Sequence, residues 1–237
     1  MTSSSSEEAW AERAAARSPV VQRSRSRSIQ QATQIVDAAI LLVDEKGSSF
    51  TIQELAGNAR VALQTFYRHF SGKDELLLAV IERTIAENCA DFAQLARQLP
   101  DPLSRLRFYI TAAVSSLDDD AIGARSRFIT AEHYRLHQIF PDALIEANRR
   151  FTDLLIPEIT EAVEAGQLAP TDVEGDAWYV TELVMATFHH YAFATKDVPA
   201  NQLADSLWRF CLAAMGGTAA PAPPSRRASA SPKKKLG

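Results

Sequence analysis

Residues 51–70 read TIQELAGNARVALQTFYRHF, and the fold follows from how this stretch is parsed. Thr51-Ile52-Gln53-Glu54 has the T-x-x-E form of a capping box, in which a side chain and a backbone each satisfy an N–H that a helix start leaves orphaned. A short helix therefore opens at Thr51, with Ile52, Leu55 and Ala56 on its buried face. The pattern breaks around Asn58-Ala59-Arg60 and resumes with Val61, Phe66 and Phe70 facing inward. Two short helices joined by a few residues and braced by a longer one before them are the build of a helix-turn-helix. The second helix is slim enough for a DNA major groove. Its outer face carries Leu63, Gln64, Thr65, Tyr67, Arg68 and His69, mostly groups that donate hydrogen bonds to phosphates or base edges.

Outward from this unit the pattern stays helical. Ile35, Val36, Ala39, Leu42 and Val43 fall on one face at 3.6 periodicity, and Gly47 marks a stop. A long helix is expected from Asp74 through Leu95, ended before Pro100 and Pro102. Further helical stretches cover about 103–117, 121–139, 142–165, 173–195 and 199–215. Strand alternation and internal repeats are absent from the sequence. The expected fold is all-α, about nine helices: an N-terminal three-helix helix-turn-helix domain over 28–73 and a larger helical domain over 74–216. Residues 1–27 lack an apolar period and read as a disordered basic arm ending in Arg23-Ser24-Arg25-Ser26-Arg27. Residues 217–237, with Pro221, Pro223, Pro224 and Pro232 among alanine, serine and basic residues, read as a disordered basic tail.

The net charge of −4 hides an asymmetry. Residues 23–73 hold seven Lys/Arg against four Asp/Glu, residues 74–216 eleven against twenty-two, and residues 217–237 five against none. A basic N-terminal unit on an acidic body presents one end to phosphates and repels them elsewhere. With 46% hydrophobic residues the chain suits a soluble globular protein. It holds no apolar run of the ~20 residues a membrane span needs and no signal-peptide core at Met1-Thr2-Ser3-Ser4. A cytoplasmic protein is expected, with no membrane partner. Cys89 and Cys211 lack metal-type spacing and fall in helical apolar patterns, as reduced core residues do.

The segment resembles the DNA-binding domain of the TetR family of transcriptional regulators. The matching residues are Thr51 to Ala56, Val61, Thr65-Phe66-Tyr67-Arg68-His69-Phe70 and Lys73-Asp74-Glu75-Leu76-Leu77, with Ile35, Ala38, Ala39 and the Gly47 turn before them. The T-x-Y-x-H-F core followed by K-[DE]-x-L is specific only in combination. It covers about 45 residues, a fifth of the chain. Two positions depart from the pattern. Arg60 stands where glycine is usual, so either it takes a positive φ or the turn has another shape. Ala62 stands where a serine-like N-cap is usual. The resemblance implies that Thr51, Tyr67, His69 and Lys73 meet phosphate, Lys73 at a helix N-terminus where the dipole favours an anion. It places Leu63, Gln64 and Arg68 at base edges, where glutamine can read adenine and arginine guanine. Thr65 completes the contact face, and Arg25 and Arg27 extend it into the arm.

The resemblance further implies that residues 74–216 bind a ligand and dimerise. Leu203, Leu207, Phe210 and Ala214 form an apolar stripe, and Leu183 with Val184 and Phe188 another. Paired with their symmetry mates, such helices would build a four-helix interface. Phe92, Phe108, Tyr109, Phe128, Tyr134, Phe151, Trp178 and Phe188 are the candidate lining of an apolar cavity. His133 and His137 stand at i, i+4 but outside an H-E-x-x-H motif, and His189-His190 point apart on a helix. No metal, cofactor or catalytic residue is expected: the chain has no Gly-rich phosphate loop, no G-x-S-x-G and no C-x-x-C. The expected protein is a homodimeric repressor released from a pseudo-palindromic double-stranded operator by a small apolar or amphipathic effector. One rival is a ligand-independent activator or architectural DNA binder. Another is an α-helical enzyme or small-molecule carrier with a vestigial helix-turn-helix.

Overall fold

The computed structural model describes residues 17–115, 117, 120–193 and 198–218. These form nine α-helices and no strand: α1 Pro19–Lys46, α2 Ile52–Asn58, α3 Leu63–His69, α4 Lys73–Ala96, α5 Pro102–Ser115, α6 Asp120–His137, α7 Pro141–Glu164, α8 Val173–Phe193 and α9 Ala200–Ala214. No helix among the described residues is long and apolar enough to cross a membrane.

Punctuation in the sequence sets the boundaries. Pro19 occupies the first turn of α1, where its missing N–H is no loss. Gly47 ends the helix at φ 60°, its N–H donating to the Val43 carbonyl at 2.9 Å. The capping box at α2 is formed in full: the Thr51 N–H donates to Glu54 Oε2 at 2.8 Å, and the Glu54 N–H to Thr51 Oγ1 at 3.2 Å. Asp101 caps α5 by accepting from the Ser104 N–H at 2.9 Å and its hydroxyl at 2.6 Å. The start of α1 departs from expectation. A disordered arm was expected through Arg27, but residues 19–27 are the opening turns of α1. Val20 to Gln30 are exposed there, so the local helix, continuous with an anchored one, holds the segment without burial. Residues 1–16 and 219–237 lie outside the described residues.

Two main cores result. One gathers the C-terminal half of α4 with α5, α7, α8 and α9 around Leu106, Ile110, Leu155 and Ile159. The other is built on α1 to α4 around Ile35, Leu42, Leu55, Phe66 and Leu76. The second core does not stop at the first domain: Phe128 and Leu136 of α6 and Leu144 of α7 belong to it. Arg135 of α6 reinforces the junction, its guanidinium 2.7 Å from Asp74 at the start of α4 and 2.8 Å from Glu132. The two domains therefore share packed surface through α6. Cys89 and Cys211 are free and buried, and burial pushes both thiols up to about 11.

Candidate functional site

Helix α3 sits on the core of α1 to α4 through Phe66, which is fully buried, and Phe70. These rings pack against each other at 5.8 Å, and Tyr67 meets Phe66 edge-on at 5.1 Å. That anchoring turns Leu63, Gln64, Tyr67 and Arg68 outward as one exposed surface, with Thr65 and His69 half-buried at its margins. The turn leading into it is the one the missing glycine put in question. Arg60 is the sole non-glycine residue with positive φ among the described residues, at 53°. An L-residue there costs roughly 1–2 kcal/mol relative to its ordinary basins. The turn keeps its shape because the Arg60 N–H donates to the Gly57 carbonyl and Val61 N–H to the Ala56 carbonyl. Gln34 of α1 adds a bond to the Ala59 carbonyl at 2.7 Å. Ala62 offers no side-chain cap to α3.

Around α3 the polar side chains are already engaged. Arg68 donates to Gln31 Oε1 of α1 at 2.7 Å, and His69 Nε2 lies 3.4 Å from the same oxygen. Sequence reasoning missed Gln31, which reads as one more polar residue of α1. Its i, i+3 relation to Gln34, which pins the turn, was the available signal. Lys73 differs from the expected phosphate donor. Its ammonium donates to the Ser48 and Phe50 carbonyls and lies 4.4 Å from the Phe50 ring centroid. Two of its three donors thus brace the α1–α2 loop against α4. Thr51 is tied into the capping box. Arg25 and Arg27 lie on the exposed opening turns of α1.

The eight aromatic residues proposed for a cavity separate into four environments. Phe92, Phe151 and Phe188 line a small cavity of about 80 Å³ between α4, α6, α7 and α8, together with Ile129, Met185 and His189. Phe108 stands behind Phe92, edge-on at 6.0 Å. Tyr109 and Phe128 are buried packing residues of the two cores, so they are removed from the cavity lining. Tyr134 and Trp178 are 76% and 50% exposed and line an outer groove of about 720 Å³. Four residues face both spaces: His133, Asn148, Met185 and His189. Burial, and then the neighbouring imidazole, holds His133 below its usual value and His189 down to about 4. The sequence reading weighed these histidines only as metal ligands and missed them as a wall.

The stripe on α9 also divides. Leu207 is 7% exposed and packs into the C-terminal core, which removes it from any interface. Its neighbours Trp208, Cys211 and Leu212 show that the inward arc of α9 runs through position 207. Phe210 is 64% exposed and Ala214 is exposed, while Leu203 and Leu183 are half-buried. On α8, Tyr179, Ala186 and Phe193 form an exposed line at helical spacing.

The fold and its exposed α3 define a class: an all-α protein with an N-terminal helix-turn-helix unit and a larger helical domain. Residues 35–80 match the model of the bacterial regulatory proteins of the tetR family. Similar sequences are regulators. The HTH-type transcriptional activator FasR of Mycolicibacterium smegmatis is 31% identical over 94 residues, 40% of this chain and 43% of FasR. The uncharacterized HTH-type regulator YvaF of Bacillus subtilis is 44% identical over 46 residues, 19% of this chain and 24% of YvaF. The matches thus span less than half of either relative. Solved structures share the fold over most of the chain. Thermus thermophilus FadR, solved with lauroyl-CoA, aligns at TM-score 0.62 and 21% identity, covering 81% of this chain and 98% of FadR. Bacillus subtilis FadR, solved with stearoyl-CoA, aligns at 0.59 and 18%, covering 77% and 98%.

Proposed function

We propose that the protein is a homodimeric transcriptional repressor that holds a pseudo-palindromic operator and is released by a small apolar or amphipathic effector. The observation that carries this is α6. Phe128 and Leu136 of this helix pack into the core of the DNA-binding domain, while Ile129 and His133 line the effector cavity. A ligand that shifts α6 therefore shifts the seat of α3. The mechanism is population shift: a ligand preferring the conformer with poorly spaced recognition helices lowers operator occupancy by its differential affinity. The match to the tetR family model supports DNA as partner. The acyl-CoA complexes of the two FadR proteins support an effector with a long apolar part. Exposed Tyr179 and Phe193 on α8 and Phe210 on α9 support a dimer, and a dimer is what lets two recognition helices occupy successive major-groove faces.

On this reading Gln64 reads a base and Tyr67 and Thr51 grip phosphate. Arg68 leaves Gln31 to reach the groove, and Arg25 and Arg27 follow the duplex beyond the recognition helix. Lys73 positions the loop before α2 and contributes little direct phosphate contact. The test is fluorescence anisotropy with duplex DNA at several salt concentrations. The affinity should fall log-linearly with salt, by about 10³ or more between 50 and 200 mM if six or more phosphates are neutralised. Gln64→Ala should lose roughly 1–3 kcal/mol of discrimination at one base position. A protein with no salt-dependent DNA affinity contradicts the proposal and favours a carrier.

A further inference from the structure

We propose that the small cavity and the outer groove form one binding site for a lipophilic cation, with the apolar tail in the cavity and a protonated amine in the groove. This rests on the effector reading above and names the chemical class. The two spaces meet at a wall of His133, Asn148, Met185 and His189. Away from the wall the inner space is lined mainly by Ile85, Phe92, Ile129, Phe151 and Phe188, with Thr84 and Asn88 among them, and offers an alkyl chain mostly apolar contact. Met185 is the adjustable element, since an unbranched thioether can rotate to admit a longer chain.

The wall is where a polar group of the ligand would sit. Asn148 Nδ2 lies 3.3 Å from His133 Nε2, which leaves the Asn148 Oδ1 buried without a partner. A buried carbonyl in that state is unfavourable until a donor reaches it. The ring of His189 stands 5.0 Å from that of His133. Burial favours the neutral form of both imidazoles. The His133 Nε2 lone pair already accepts from Asn148, which leaves Asn148 Oδ1 and the unprotonated nitrogen of His189 as acceptors. The wall therefore offers two acceptors and no fixed positive charge.

The groove beyond adds negative charge and aromatic faces. Asp153, Glu174 and Glu182 line it against the single guanidinium of Arg149. Arg149 and Asp153 face each other at 3.8 Å and largely cancel. Glu174 and Glu182 have no ion pair among the described residues. Tyr134 and Trp178 present rings to the same space, and a cation over such a ring is attracted by its quadrupole. A carboxylate or a phosphate-bearing thioester would meet two uncompensated carboxylates. An alkylammonium would meet them as counter-charges.

The test uses the full chain and four octyl probes below their micellar range: octylamine, octanol, octanoate and octanoyl-CoA, by titration calorimetry at neutral pH. Octylamine should bind about tenfold or more tighter than octanol, as two nearby opposite charges allow even in partly screened surroundings. Octanoate and octanoyl-CoA should bind more weakly than octanol. The Glu174→Gln/Glu182→Gln double variant should bring octylamine to the level of octanol and leave octanol unchanged. Ala113→Leu, which fills the inner cavity while circular dichroism confirms the fold, should weaken octylamine and octanol alike. Tighter binding of octanoate or octanoyl-CoA than of octylamine, or octylamine binding indifferent to the double variant, overturns the cation assignment and leaves the effector site standing. Failure of all four probes overturns the cation assignment and the effector reading together.

Discussion

Phe210→Glu separates the dimer from the fold. Phe210 is 64% exposed on α9, on the flank where Leu203 packs toward Tyr191 of α8. A phenylalanine carries roughly 200 Å² of surface, so about 130 Å² per protomer remains to be covered by a partner. At ~25 cal/mol per Å² that is about 3 kcal/mol per protomer and about 6 kcal/mol per dimer. Association recovers only part of such a sum, since ordering costs are subtracted, yet even half of it moves Kd by about a hundredfold. In the proposed dimer the substitution also brings one unpaired carboxylate from each protomer into the interface, which adds several kcal/mol. Analytical ultracentrifugation and a DNA titration on one sample are the assay, with circular dichroism for the fold. The variant should be a folded monomer with only non-specific DNA affinity. Leu207→Glu, whose side chain is 7% exposed in the monomer's own core, is the control and should unfold the C-terminal domain. A Phe210→Glu protein that stays dimeric and binds DNA normally refutes the α8–α9 face.

Three further outcomes follow from the geometry. Arg60→Gly relieves an αL residue at φ 53° and should gain about 1 kcal/mol, raising Tm by roughly 2–4 °C; a lower Tm would mean that the arginine side chain stabilises the turn. Lys73→Ala removes donors from the Ser48 and Phe50 carbonyls and should cost about 2 kcal/mol of stability. The same variant should leave the salt slope of DNA binding within half a unit of the parent, and a fall of about one unit would restore Lys73 as a phosphate contact. Burial, then His133, lowers the His189 pKa from 6.5 to about 4, so the folded state prefers the neutral ring. The stability it allows is whole above about pH 6.5 and is lost as pH falls toward 4. Thermal melts at pH 7.5, 6 and 4.5 should show His189→Gln with a flatter acid slope than the parent; equal slopes would assign the acid sensitivity elsewhere.

The helix-turn-helix was legible because each of its parts is local. A capping box, a break and the Phe66/Phe70 pair lie within twenty residues, and the structure forms all three. The positive φ at Arg60 was readable for the same reason: a turn that favours glycine holds its shape even where glycine is absent. Long-range partners were not legible. Gln31 meets Arg68 and His69 across thirty-seven and thirty-eight positions, and Lys73 meets carbonyls twenty-three and twenty-five positions away. The aromatic residues failed as a group because hydrophobicity does not say which core receives a ring. Phe128 goes to the DNA-binding core and Phe92 to the cavity. On α9 the pattern at 203, 207, 210 and 214 read as a single stripe. The buried Trp208, Cys211 and Leu212 displace the true core face by about a quarter turn, which takes Leu207 inward and leaves Phe210 outside.

In the proposed function α3 reads a DNA sequence as one of a symmetric pair. The decisive experiment is selection of bound sequences from a random duplex library with the purified protein. A pseudo-palindrome whose half-sites repeat at about 10 base pairs or a multiple of it should be enriched, with base preference at one half-site position lost when Gln64→Ala is selected in parallel. Recovery of unenriched DNA, or of a non-symmetric site indifferent to Gln64, would contradict it.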